Sequence, residues 1–140
     1  ENYIQIKKLF KMSIRLIGIF SILMFVMAMV FAKPIISVFV DRGSAIFDIT
    51  YRGFLLFSIS YLFTGINIFA SSMFTAFSNG RISAIISFLR TFVFLVLSLI
   101  ILPIIIGSDG IWLSVPLAEL LSFGVSIMYI ISNRHEYQYL

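Results

Sequence analysis

The chain has 140 residues, of which 61% are hydrophobic and only 11% are charged, whereas soluble domains average roughly 45–50% apolar and 25% charged residues. A soluble fold of this length could not bury so much apolar surface, so the composition predicts an all-α integral membrane protein in contact with the lipid bilayer. The chain contains no cysteine, which excludes disulfides, thiolate metal sites and cysteine nucleophiles. The net charge of +4 comes from basic residues at the ends of apolar segments. Nucleic-acid binding would need those residues on one polar face, so we expect no nucleic-acid partner.

Four apolar segments are long enough to span a bilayer, which takes roughly 20 residues. The predicted transmembrane helices cover residues 14–32, 46–78, 82–106 and 111–132. The dipeptide Lys33-Pro34 ends the first, because proline removes a helix donor. The cationic stretch before it either forms the first turns of that helix or is a lipid-binding regulatory helix. Between residues 33 and 45 we expect an interfacial stretch and a polar turn.

The basic residues predict the orientation of the helices. Six of them fall on one side of the membrane: Lys7, Lys8, Lys11, Arg15, Arg81 and Arg134. Only Lys33, Arg42 and Arg52 fall on the other side. By the positive-inside rule, both ends of the chain and the Asn79-Gly80 turn are predicted to be cytoplasmic.

The second apolar segment carries a stripe of polar residues at three- or four-residue spacing, which places them on one helix face. The stripe consists of Ser60, Thr64, Asn67, Ser71 and Thr75. It is either the wall of a cavity or a surface for tight helix packing, since small hydroxyl residues let helices approach and hydrogen-bond. Asn67 favours a hydrated interior, because its amide needs more partners than a hydroxyl. Thr64 and Asn67 are therefore candidate site residues.

Arg90 and Glu119 interrupt the third and fourth apolar segments with charges of opposite sign. A charged side chain at the bilayer centre costs about 2.5–3.5 kcal/mol on insertion scales, so it usually faces a bundle interior or an aqueous cavity. Antiparallel neighbouring helices would bring the two residues to similar depths, close enough for a direct or water-bridged pair. Glu119 then either binds a coupling cation or a cationic substrate, with Arg90 tuning its pKa, or the pair only pins two helices together.

Pro116 lies three residues before Glu119 and is a candidate hinge, because proline frees a backbone carbonyl and kinks a helix. The sequence has no nucleophile–base arrangement, no paired-carboxylate site, no metal-ligand spacing and no glycine-rich phosphate loop. We therefore expect neither an enzyme nor a metal site.

Several stretches, in their order along the chain, resemble the C-terminal third of a multidrug and toxic compound extrusion (MATE) transporter. They are IKKLFKMSIRL, AKPIISVFV, GINIFASSMFTAFSNGRISAIISFLRTFVFLVLSLIILP and GSDGIWLSVPLAELLSF. The last stretch is similar to the MepA-like bacterial branch in particular, and Arg90 and Glu119 match positions typical of that branch.

The resemblance implies a twelve-helix transporter made of two six-helix bundles, in which this chain supplies helices nine to twelve. The N-terminal bundle and helices seven and eight of the same polypeptide would then be its partners. Members export cationic amphiphilic small molecules by alternating access in exchange for Na⁺ or H⁺, so a coupling ion is expected and no other cofactor. Thr64 stands where another branch has an acidic residue in its cation site, which argues against a Na⁺ site of that type.

The expected function is therefore that of a fragment of a cation-coupled antiporter in a bacterial plasma membrane. The start at Glu1 instead of methionine fits a C-terminal piece. Two alternatives remain open, namely a lipid or polysaccharide-precursor flippase and a small four-helix membrane scaffold protein.

Overall fold

The computed structural model describes residues 2–139, which form helices joined by short turns and contain no strand. In chain order they are α1 (Asn2–Val30), α2 (Ala32–Phe39), α3 (Ala45–Ser58), α4 (Tyr61–Ala76), α5 (Gly80–Phe88), a π-helical segment (Leu89–Val93), α6 (Phe94–Ile106), α7 (Asp109–Ser132) and α8 (Arg134–Tyr137).

Three helical stretches of the described residues are long and apolar enough to cross a membrane: Tyr3–Val30, Gly80–Ile106 and Asp109–Ser132. The bent pair α3 and α4 makes a fourth if it is counted as one span. Length and composition therefore indicate a helical membrane protein with three or four spans. The cationic stretch at the start of the chain forms the first turns of α1, which begins at Asn2 and not near residue 14.

The structure corrects the prediction of one continuous helix over residues 46–78. This segment is bent by 45° between α3 and α4. At the break the amides of Ile59 and Ser60 donate to carbonyls three residues back instead of four. The hydroxyl of Ser58 donates to the Phe54 carbonyl at 2.7 Å, and that of Thr64 donates to the Ser60 carbonyl at 2.8 Å. Side-chain hydroxyls thus compete for the backbone acceptors, which is a recognised cause of helix irregularity.

The segment between the first two spans is more helical than predicted. It contains α2, whose first turn includes Pro34, and its interfacial position stays a prediction. Proline is tolerated there because a first-turn amide has no partner within the helix. Ser44 then caps α3, since its hydroxyl accepts a hydrogen bond from the Phe47 amide at 3.1 Å. Two interruptions, at Phe31 and at the turn before Ser44, therefore separate α1 from α3.

Helix α7 lies at the centre of the packing. In its most apolar stretch 39% of the residues are buried, against 11% and 6% in the other two spanning stretches. Its buried face repeats every four residues with small side chains: Gly110, Ser114, Ala118, Ser122 and Ser126. Such a repeat lets neighbouring helix backbones approach closely. At Gly110 even a methyl group would lie less than 3.0 Å from backbone atoms of Leu102 and Pro103 in α6.

Helix α3 also packs closely against α7. A methyl group at Gly53 would overlap the indole ring of Trp112, because three ring atoms lie less than 3.0 Å from its position. Nearby, Arg52 of α3 holds both carboxylate oxygens of Asp109 at the start of α7, with distances of 2.9 and 2.6 Å. These contacts join the middle of α3 to the start of α7.

Aromatic side chains close the end of the bundle at the Asn79 turn. The Tyr137 ring stacks on Phe77 with centroids 4.6 Å apart. The Tyr137 hydroxyl accepts a hydrogen bond from the side-chain Nδ2 of Asn79 at 3.0 Å. Tyr139 is fully buried, stacks on Phe10 and donates a hydrogen bond to the Ile130 carbonyl. The end of the chain therefore folds back against α1, α4 and α7.

Candidate functional site

The two intramembrane charges form a direct ion pair. Nε of Arg90 donates to Oε1 of Glu119 at 2.8 Å, which joins the π-helical segment to α7. The sequence left open whether this contact is direct or water-bridged, and in the structure it is direct. Both side chains are largely withdrawn from the surface, with 23% of Arg90 and 7% of Glu119 exposed.

Asn67 of α4 binds the same glutamate from another side. Its Nδ2 donates both to Oε2 of Glu119, at 2.8 Å, and to the Glu119 backbone carbonyl, at 2.9 Å. Ser126, two turns further along α7, donates from its hydroxyl to Oδ1 of Asn67 at 3.2 Å. The Asn67 side chain is fully buried and has partners for both of its ends. We call the set Arg90, Glu119, Asn67 and Ser126 the polar cluster.

The polar cluster neutralises its own charge. One positive and one negative group lie in contact, and a hydrogen bond reaches each oxygen of the carboxylate. A charge in an apolar interior is costly unless it is paired and hydrogen-bonded, so this arrangement makes Glu119 tolerable between the helices. It also means that Glu119 can take an external cation only if one of its present partners moves or shares an oxygen.

Thr64 is not part of the polar cluster. Its hydroxyl donates to the Ser60 carbonyl one turn earlier. The side chain lies beside Gly65 in a groove between α1 and α4, which Ile17 and Ser21 line from the α1 side. The structure thus brings together three of the four predicted site residues and leaves Thr64 apart from them.

The last two hydroxyls of the stripe, those of Ser71 and Thr75, face α5. The Ser71 hydroxyl lies 3.0 Å from that of Ser83 and 2.8 Å from that of Ser87. The Thr75 hydroxyl lies 2.7 Å from that of Ser83. This group packs α4 against α5 on the side of the Asn79 turn, as interhelical hydroxyl contacts do in membranes.

The structure adds Ser122 and Ser126 to the polar residues around Glu119, and neither was predicted. Both belong to the four-residue repeat of small residues on α7, which is the sequence signal that could have found them. Ser122 is 1% exposed, and its hydroxyl has no hydrogen-bond partner among the described residues. It lies one turn from Glu119 and one turn from Ser126.

Pro116 lies within α7, which continues as one helix from Asp109 to Ser132. It lines an apolar cavity of about 260 Å³ together with Ile59, the residue at the bend between α3 and α4. The hinge at Pro116 stays a prediction, and the bend itself lies on the other side of that cavity.

Within residues 2–139, no three histidine, aspartate or glutamate side chains come together as a metal site would require. Comparison of the chain with protein-family models, with curated proteins and with solved structures gave no match.

Proposed function

We propose that this chain is part of a cation-coupled antiporter that exports cationic amphiphilic compounds by alternating access. The proposal includes the architecture expected from the resemblance, in which the chain provides helices nine to twelve of a MATE-type transporter in a bacterial plasma membrane. Its partners would be the lipid bilayer, the other helices of the polypeptide and the exported compound. Na⁺ or H⁺ would drive the exchange.

The observation that carries the proposal is the polar cluster inside apolar helices. Ionisable residues within membrane helices are expensive, and they commonly mark substrate or ion pathways. Here Arg90 and Glu119 lie on two stretches that are each long and apolar enough to span the membrane. A protein that needed only to anchor itself could place leucine at both positions, so the pair indicates a functional demand for charge.

Each member of the polar cluster has a distinct role in this proposal. Glu119 is the acceptor for a cation, because it is the only carboxylate of the cluster. Asn67 orients that carboxylate through Oε2 and the backbone carbonyl, and Ser126 in turn orients Asn67. Arg90 compensates the negative charge when no other cation is present.

Ethidium efflux from proteoliposomes tests the proposal directly. The complete protein that carries this chain is reconstituted, and efflux is followed under an imposed Na⁺ or H⁺ gradient. Glu119→Gln keeps the shape and one acceptor but removes the charge, so gradient-driven efflux should be lost. Glu136→Gln is the matched control, because Glu136 is an exposed residue of α8 and its substitution should leave efflux unchanged.

Two other outcomes have different consequences. Full gradient-driven efflux by Glu119→Gln would keep the antiporter proposal but leave the ion pair as a structural contact between helices. A well-folded protein without any ethidium efflux would favour the flippase or the scaffold alternative, which lipid-scrambling and co-purification assays would then separate.

A further inference from the structure

The two oxygens of the Glu119 carboxylate are held in different ways. Oε2 is held by Asn67, whose amide also binds the Glu119 carbonyl and is itself held by Ser126. Three hydrogen bonds therefore fix this side, and the amide is wholly buried. A ligand that approaches Glu119 from the side of Asn67 would have to break all of them.

Oε1 is held by one contact from a longer and more exposed side chain. Arg90 uses Nε alone, and its Nη1 and Nη2 make no hydrogen bond to any described residue. Arginine–carboxylate pairs are frequently bidentate, with two parallel hydrogen bonds that add energy and specificity. This pair has one such bond, and the other oxygen accepts from Asn67. Arg90 is also more exposed than Glu119, with 23% of its side chain accessible against 7%, so it is the more accessible member of the ion pair.

The backbone under Arg90 is irregular. Arg90 is the second residue of the π-helical segment Leu89–Val93, where the Phe94 amide donates to the Leu89 carbonyl. π-Helical turns are rare, and they are found frequently at functional sites. A π turn holds one residue more than the α-helical turn, so its conversion to α-helix would rotate the residues on one side by about 100°. A local change in the π-helical segment would therefore withdraw Arg90 from Glu119 without moving α7.

We propose that Arg90 is an internal cation that occupies Glu119 in the ligand-free protein and is displaced by the transported organic cation. This inference rests on the proposed function. It adds one condition, which we call the displacement rule: Arg90 and the ligand cannot occupy Oε1 of Glu119 at the same time. Asn67 keeps the carboxylate oriented during the exchange. The ligand that fits is a monovalent ammonium, guanidinium or phosphonium compound, since one carboxylate offers one negative charge.

The rule predicts that removal of Arg90 strengthens cation binding. A ligand that can bind only when its site is vacant has its apparent affinity reduced by the vacant fraction. If Arg90 occupies Glu119 for about 90–99% of the time, its removal should lower the dissociation constant about 10- to 100-fold. If the ion pair is purely structural and the ligand binds elsewhere, removal of Arg90 should leave the affinity unchanged or lower it.

Equilibrium binding of tetraphenylphosphonium to the complete protein in detergent measures this effect. Arg90→Ala should bind the probe at least tenfold more tightly than the native protein. Arg81→Ala is the matched control, since Arg81 is an exposed arginine at the start of α5 and should not alter the affinity. Added methylguanidinium should weaken binding in Arg90→Ala, because it replaces the missing side chain at Glu119, and should have much less effect on the native protein.

The outcomes separate this inference from the proposed function. If the native protein binds the probe and Arg90→Ala binds it equally or more weakly, the displacement rule is overturned and the antiporter proposal stays in place. Absence of binding by both proteins overturns both. If Arg90→Ala does not fold, Arg90→Met provides the same comparison, because methionine fills much of the same space without a charge or a hydrogen-bond donor for Oε1.

Discussion

The contact between α3 and α7 makes a sharp test of the fold, through the substitution Gly53→Ala. The added methyl group would meet Cδ2, Cε2 and Cε3 of Trp112. The most distant of these, Cε3, would lie 2.7 Å away, whereas ordinary contact begins at 3.4 Å. The indole must therefore move by at least the difference at that atom, 3.4 − 2.7 = 0.7 Å, and by more at the other two.

The cost of this change follows from the rigidity of the surroundings. Inserting a methylene-sized group into a packed interior typically costs about 1–3 kcal/mol. Here the obstacle is a bulky ring and the glycine lies on a helix, so neither side yields easily. We expect Gly53→Ala to lower the thermal stability of the complete protein in detergent by several degrees, measured as the temperature at which its monodisperse chromatographic peak disappears.

Two further variants isolate the contact. Gly124→Ala adds the same methyl group to α7, where no atom lies within 4 Å of its position, and it should leave stability unchanged or slightly raised. Trp112→Leu removes the obstructing ring, so Gly53→Ala should cost much less in that background. Equal losses for Gly53→Ala and Gly124→Ala, or no rescue by Trp112→Leu, would refute the packing of α3 on α7 described above.

Three smaller perturbations test other contacts. Ser122→Ala should leave stability unchanged, because the Ser122 hydroxyl has no hydrogen-bond partner among the described residues. Ser126→Ala should lower the free energy of unfolding by about 1 kcal/mol, because it removes a buried hydrogen bond to Asn67. Thermal melts in which the two variants behave alike would contradict this. Burial raises the pKa of Tyr139 to about 12. The neutral, buried side chain of Tyr139 therefore stabilises the fold below pH 10, and this stabilisation is lost as the pH rises towards 12. In a titration followed by tyrosinate absorbance, Tyr139→Phe should remove an ionisation at high pH. Arg52→Gln should shift the melting temperature little in physiological salt, because Arg52 is exposed and Asp109 is partly exposed, so salt screens the pair. A large shift would show a greater role for the pair.

The sequence predicted the spans that consist of long uninterrupted apolar runs, and it did not predict the bend. Ser58 and Ser60 resemble the other small polar residues of the same segment, and nothing in their spacing distinguishes them. The bend coincides with the hydrogen bonds that the hydroxyls of Ser58 and Thr64 make to backbone carbonyls, and α3 packs on α7 through Gly53 and Trp112. Both are properties of the folded neighbourhood, so a local pattern could not reveal them.

The candidate site was predictable to the extent that it consists of charges in apolar surroundings. Arg90 and Glu119 are conspicuous for that reason, and Asn67 stood out as the one amide in its segment. Thr64 lies on the same face of α4 as Asn67, Ser71 and Thr75, which together cover an arc of about 80°. The neighbours of α4 change along its length, from α1 at Thr64 to α7 at Asn67 and α5 at Ser71 and Thr75, so residues of one stripe meet different helices.

Two irregularities lie on the helical stretches that supply Asn67 and Arg90, while the helix that carries Glu119 is continuous. The bend at Ile59 precedes Asn67 by two turns on α4, and the π-helical segment contains Arg90 itself. An apolar cavity of about 260 Å³ lies beside the bend and reaches Pro116 of α7. Hydrogen bonds tie Asn67 to two residues of α7, so α4 and α7 should move together at this point, whereas Arg90 is joined to α7 by one contact. If the site rearranges during transport, the change is therefore expected in the π-helical segment first, with the carboxylate and its amide partner as the fixed part.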